Sequence, residues 1–531
     1  MKKLTCLFLT ATALLLTTIA NSQSLNPLYK HLPPSANHIY SVRLGQIIAK
    51  GELAGLLTSI PQGKDQNSAL ALNIIKDPAS AGIDLDHEIL VAQTTAEGTG
   101  ADTVSYTQFL VPLTDSAKWR ATYTSAIKNA HLHRLPGKGV STIMGKDGIA
   151  WNDHLLVITT ASAETPVTAS LKTAPAIHRS LAEGSLEKSL ASLAGYPANS
   201  LLTDQRFIAG FSTEEDVHAW STRMDFTAMI TKFAKKMAAK NPAMQGQAFP
   251  DYSRMNQAPH PPVLSTFSFE NGRIVFHLTT FNKPEDAELF RKVYDRPINK
   301  DLLARIPNSG LLLGAAAMRF NPAGFPDLMD KYHTRHMVDS MLGKKGLSVS
   351  DISGIFGGDI LIAALADTTA TDTAKNKINV YFVATLGDPA KMMQVAAKLA
   401  ASNDALADTA QVAKMKKLTD KMVIRDNLLV ISGSKEMAKK YLDNTDRRPT
   451  SLLEDNTLQD LVVDLKAVSV FMSATMANNP KMMLFVRVLE KMDKIELKTT
   501  MPDGNNLNVT FQIVTGDPST NSLKTIVSLL H

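Results

Sequence analysis

Tyr332–Met341 carries His333, His336, Met337 and Met341. On a helix these spacings bring imidazole and thioether groups near one face, a ligand set that would suit copper. Methionine also fills gaps in apolar cores, and the chain spreads 22 of them along its length, so packing is the stronger reading. His131 and His133 would share one side of a strand, but no third ligand follows at a metal-site spacing. Asp84, Asp86 and Glu88 alternate like the start of a calcium loop. The glycine and the final glutamate of such a loop are missing, so the stretch reads as a solvated turn before a strand. Ser125–Lys128 and Ser185–Lys188 fit the Ser-x-x-Lys spacing of a nucleophile and its base, yet the nearest approach to the required Lys-Thr-Gly is Lys172-Thr173-Ala174. Nucleophile elbows, phosphate-cradling loops and His-Glu-x-x-His are absent from the sequence. No catalytic, cofactor-binding or metal-ligating residue is therefore assigned, no cofactor is expected, and the residues make no positive case for an enzyme.

The lone cysteine, Cys6, lies in an apolar leader, so the rest of the chain can form no disulfide, thiolate zinc site or cysteine nucleophile. Lys2-Lys3, the uncharged run Leu4–Ala20 and the small residues through Ser22 have the layout of a secretory signal. Cleavage is expected after Ser22, with a cut after Ala20 as the alternative. Residues 1–22 are read as the signal peptide, and no later run is apolar enough to span a membrane. Cys6 follows Lys3 too closely to be a lipid-attachment site, so the expected location is exported, periplasmic or cell-surface, without a lipid anchor through Cys6.

The chain has 531 residues, 44% apolar and 20% charged, enough for three or four domain-sized units. Its formal charge of +6 drops to +4 without Lys2 and Lys3, which excludes an electrostatic nucleic-acid footprint. Lys232, Lys235, Lys236 and Lys240 form a stripe beside Phe226, Ile230, Phe233 and Met237, the pattern of a core helix with a solvated face. The alternative is a helix lying on an anionic membrane.

Self-comparison sets the architecture. Leu113–Lys118 recurs as Leu386–Lys391, and Asp153–Ile158 recurs as Asp426–Ile431; both pairs are 273 positions apart. The fold expected is α+β: two tandem copies of a mostly antiparallel sheet-plus-helix unit, each made of two halves. The first copy is placed at 23–300, with halves at about 28–175 and 200–300. The second is placed at 301–531, with halves at about 301–445 and 450–531. Apolar alternation predicts strands at Ile39–Leu44, Ile89–Thr94 and Val104–Leu113, and at Leu311–Met318, Ile360–Leu365 and Ile378–Leu386. The polar stretches Ala96–Asp102 and Asp367–Lys375 read as hairpin connections. Asp115 and Asp388 stand at helix N-caps, and Trp119, Tyr123 and Ile127 share one helix face. Hairpins turn at Asp153-His154 and Asp426-Asn427 and, in the second halves, at Asn271-Gly272 and Asp503-Gly504. The second halves are expected to open with strands at Val217–Ser221 and Val468–Met472. Asn241–Pro262 is a surplus in the first copy and reads as a surface excursion.

Leu32-Pro33-Pro34, Gly82-Ile83-Asp84, Val111-Pro112-Leu113-Thr114-Asp115 and Trp151–Ile158 together resemble the exported Bacteroidetes family grouped as domain of unknown function 4836. The resemblance covers nearly the whole chain beyond the leader. It implies an exported α+β protein without an assigned activity; many such proteins carry a lipobox cysteine, which this leader lacks. The function expected is a non-enzymatic cell-envelope or periplasmic protein, binding or structural, whose partner is an envelope protein, glycan or lipid. The competing expectation is a cofactor-independent hydrolase acting on envelope polymers.

Overall fold

The computed structural model describes residues 26–55, 74, 76–95, 104–127, 131–135, 139–163, 174–222, 260–343, 346–366, 378–403, 421–449, 453–454, 456–476, 479–500 and 503–529. The leader, the loops at 96–102 and 367–375, the lysine stripe, Lys128 and most of 241–262 lie outside the described residues. The protein is a mixed α+β molecule with extensive antiparallel sheet, and its chain divides into two compact units at Trp220/Ser221.

In the first unit the strands are β1 (His38–Val42), β2 (Ile89–Thr95), β3 (Val104–Pro112), β4 (His133–Arg134), β5 (Val140–Met144), β6 (Asp147–Trp151), β7 (Leu155–Ala163) and β8 (Val217–Ser221). Pairing runs β8-β1-β2-β3-β7-β6-β5-β4. Asp115 caps the helix Ser116–Ala126 by accepting from the Ala117 and Lys118 amides, and that helix buries Trp119 and Tyr123 on one face. The helix Ala174–Ala194 approaches β6 so closely that a Cβ on Gly148 would fall 2.1 Å from the Leu186 nitrogen. Small buried serines make that approach possible: Ser189 Oγ donates to the Gly148 carbonyl at 2.8 Å and to Thr159 Oγ1 at 2.7 Å.

The second unit contains β9 (Val263–Glu270), β10 (Arg273–Phe281), β11 (Leu311–Arg319), β12 (Phe356–Ala366), β13 (Ile378–Leu386), β14 (Met422–Arg425), β15 (Leu428–Ile431), β16 (Thr457–Asp464), β17 (Met492–Thr500) and β18 (Asn506–Thr515). Every ladder is antiparallel, in the order β9-β10-β18-β17-β16-β11-β12-β13-β15-β14. The nine-residue ladder between β10 and β18 carries residues 263–281 into this unit, although the repeat offset alone puts the copy boundary at 300/301.

The registers of the two units correspond. One cross-strand row of the first reads Tyr40, Val91, Phe109, Ile158, Ile149. The matching row of the second reads Ala316, Ile362, Phe382, Ile431, Met422. One core cluster joins Leu113, Trp119, Ile149, Trp151, Leu156 and Ile158; 273 positions on, Leu386, Met392, Met422, Ile424, Leu429 and Ile431 join another. Asp426 and Asn427 turn their hairpin with φ of 52° and 58°, and Gly272 and Gly504 turn theirs at 74° and 58°.

One expected element is corrected. Val468–Met472 lies within the helix Leu465–Met476, and the opening strand is β16. Val468, Phe471 and Met472 pack into one cluster at helical spacing, and Asp464 Oδ1 accepts the Ala467 amide at 2.7 Å, starting a helix where the strand ends.

Candidate functional site

β1 ends at Val42 opposite Ile89, so the next pair across the ladder is Arg43 and Glu88. Glu88 is 7% exposed, and donors surround both its oxygens. Tyr29 Oη donates to Oε2 at 2.5 Å and Ser41 Oγ to the same oxygen at 2.8 Å. Arg43 forks onto Oε1 through Nε at 3.1 Å and Nη2 at 3.0 Å, and Nη2 also donates to the Thr213 carbonyl at 2.8 Å. Burial first, and then the adjacent Glu88 charge, pushes the Tyr29 phenol far above its ordinary value. Tyr29 packs edge-on against Phe207 and Phe211. Tyr29, Arg43, Glu88 and Phe211 line a hollow of about 560 Å³ with Gln46, Asp86 and Glu214. In the same unit, Lys50 Nζ contacts both oxygens of the buried Asp216 at 2.8 Å.

The second unit repeats the pair. Arg319 and Asp359 face each other across β11 and β12, both nearly inaccessible, with Arg319 Nη1 3.6 Å from Asp359 Oδ2. Arg296 approaches the same oxygen at 3.3 Å. Burial pushes the Asp359 carboxyl up, against the pull of Arg319 and Arg296. Farther along this sheet, the buried Asp460 stands opposite Lys498 on β17, and burial raises its carboxyl to about 6. Its Oδ2 accepts the Glu454 amide at 2.8 Å. Lys498 Nζ binds Glu454 Oε1 at 2.5 Å and Glu496 Oε2 at 3.0 Å. Burial works against the charge of Glu496, but Lys494, Gln512 and Lys498 hold its carboxyl below the ordinary value.

A second hollow, of about 380 Å³, differs in character. Phe320, Phe325, Met329, Val338, Leu342 and Phe356 are among its walls, and Ser353 is the single lining residue with a polar side chain. Phe320 and Phe325 meet edge to face at 5.1 Å.

The residues singled out from sequence disperse. His333 sits at φ +54° ahead of the helix Arg335–Gly343; His333, His336 and Met341 are exposed, and Met337 is half-buried. His131 and His133 are exposed, the latter on β4. Among the described residues no group of three His, Cys, Asp or Glu is placed to hold a metal ion. Asp84 closes a local turn, accepting the Asp86 amide at 2.9 Å and meeting His87 Nδ1 at 2.8 Å. Glu88, expected in that solvated turn, is instead the buried acceptor at the end of β2, because strand pairing carries it to Arg43. In the Ser-x-x-Lys pairs, Ser125 donates to the Thr122 carbonyl; Ser185 is buried, while Lys188 stands over the Tyr106 ring at 5.9 Å. Sequence reading missed the Arg–carboxylate pairs. The available signal was an arginine directly after the first strand's apolar run and an acid directly before the second's, in both units.

No protein-family model matches the chain, and no curated protein is significantly similar to it. Two solved crystal forms of TP0453 are similar over about half of this chain. Form IV is 9% identical, covering 51% of this chain and 86% of its own, with a TM-score of 0.28. Form III is 8% identical, covering 52% and 89%, also at 0.28. At that TM-score the likeness carries no argument.

Proposed function

We propose that the chain is a non-enzymatic exported protein of the cell envelope or periplasm, built from two tandem α+β copies, that binds or scaffolds an envelope protein, glycan or lipid. On this reading it is a member of the family grouped as domain of unknown function 4836. Support for the tandem copies comes from the constant 273-residue spacing between the core cluster of Leu113, Leu156 and Ile158 and that of Leu386, Leu429 and Ile431. Among the described residues no helix is long and apolar enough to cross a membrane.

The observation that carries the binding reading is the state of Glu88. Its Oε2 already accepts from Tyr29 and Ser41 and its Oε1 from the Arg43 fork, so its proton-accepting capacity is spent internally. A general base needs a free lone pair facing its substrate. The recurrence of the pair as Arg319–Asp359 favours a strut that ties two strands in each unit.

In-cell cross-linking, followed by mass spectrometry of the chain recovered from the envelope, tests the reading. A reproducible envelope partner on a chain lacking residues 1–22 is expected. Recovery from the cytoplasm with Met1 intact would contradict it, as would cleavage of envelope polymer by the pure chain.

A further inference from the structure

We infer that the apolar hollow of the second unit is a binding site for the acyl chain of a long-chain fatty acid, with Lys391 at its rim receiving the carboxylate. This rests on the reading of the chain as a binder of an envelope component. At about 380 Å³ the hollow falls in the range that small-molecule sites occupy. Its walls are almost free of polar side chains, so a polar ligand placed there would leave its own donors and acceptors unpartnered. A methylene chain has none to satisfy.

The surrounding elements leave the hollow unfilled. The helices Phe325–Lys331 and Arg335–Gly343 bury no residue completely, and Met329, Val338 and Leu342 stand half-buried around it. Val349, Ile352 and Ser353 come from a third short helix, Val349–Ser353. Such a set of half-covered apolar side chains gains from any apolar surface that displaces water from it.

Two lysines stand against the segment that carries the third helix. Lys391 Nζ donates to the Ser350 carbonyl at 3.1 Å. A Cβ placed on Gly354, the residue after Ser353, would lie 2.6 Å from the same nitrogen. Lys398 Nζ reaches the Gly346 carbonyl at 3.4 Å and adds a second cation on this side. Asp351 is the acid that feels both lysines, and its strongest partner is Ser348. Arg335 is engaged by Asp330 and Asp339. Lys391 has no carboxylate within ion-pairing distance among the described residues, which leaves its ammonium available to a carboxylate at the mouth.

Titration of the full mature chain with cis-parinaric acid, read by the probe's fluorescence and displaced by palmitate, tests the site. Saturable one-to-one binding is expected. Leu342→Glu, at a half-buried wall position, should weaken it at least tenfold, and Val338→Phe, which fills the hollow while keeping it apolar, should weaken it similarly with the melting temperature retained. Lys391→Ala should weaken the acid severalfold and leave the methyl ester unchanged. Absence of saturable binding would overturn the site and leave the envelope cross-linking to judge the broader reading. Binding untouched by both wall variants, or equal loss of acid and ester in Lys391→Ala, would overturn it too. Recovery of the bound ester as free acid would overturn the non-enzymatic reading while the site stood.

Discussion

Glu88 and Asp359 occupy the same register position in the two units, each opposite an arginine three residues beyond the same cross-strand row. Tyr40 pairs with Val91 three residues before Arg43, and Ala316 pairs with Ile362 three residues before Arg319. A charged pair repeated at the exit of a two-strand ladder acts as a latch: it ties the chain after the first strand to the chain entering the second.

Glu88→Ala should therefore destabilise the first unit by about 3 kcal/mol, because it leaves a largely buried guanidinium without its carboxylate and the Tyr29 phenol without its acceptor. Tyr29→Phe removes only one of the donors and should cost about 1–2 kcal/mol. Urea denaturation monitored by tryptophan fluorescence measures both, since Trp119, Trp151 and Trp220 all lie in this unit.

Asp460 gives the second unit a pH dependence. Its folded carboxyl titrates near 6, above the unfolded value, so the folded state holds a proton that the unfolded state has lost. The associated stability is fully present below the unfolded value of about 4 and is lost as pH rises through about 6. Asp460→Asn should raise stability by up to about 2 kcal/mol at pH 7 and leave it unchanged near pH 3, as read by melts across that range.

Gly148→Ala probes the close approach of the helix Ala174–Ala194 to β6. The added methyl would overlap the Leu186 backbone, so the helix Ala174–Ala194 must lift from β6, at a cost of about 1–3 kcal/mol. Ala substitution at Gly343, which is not at positive φ and whose Cβ would meet nothing within 4 Å, serves as the control for the glycine-to-alanine change itself.

Local chemistry was legible in the sequence where one residue decides the geometry. Asp115 caps its helix, Asp426-Asn427 and the two Gly turns reverse their hairpins, and Trp119 and Tyr123 face inward, all as their types require. Val468–Met472 was misread because an apolar run of Val, Phe and Met satisfies strand and helix alike; only Asp464, acting as cap, separates them. The latch was hidden for a different reason. Arg43 and Glu88 are 45 residues apart, and their meeting depends on the β1–β2 register, which spacing along the chain does not state. The apolar hollow is assembled from three short helices together with Phe320, Pro322 and Phe356, and none of these segments looks incomplete by itself.

The most direct test of the tandem architecture exploits the absence of cysteine beyond Cys6. Val91 faces Phe109 across β2 and β3, and Ile362 faces Phe382 across β12 and β13. Cysteines placed at 91 and 109, or at 362 and 382, should form disulfides on mild oxidation to the same extent, while the slipped pairs 91 with 110 and 362 with 383 should not. Equal bridging in both units at the stated positions is the predicted result; bridging by a slipped pair, or in one unit alone, would contradict two copies of one fold.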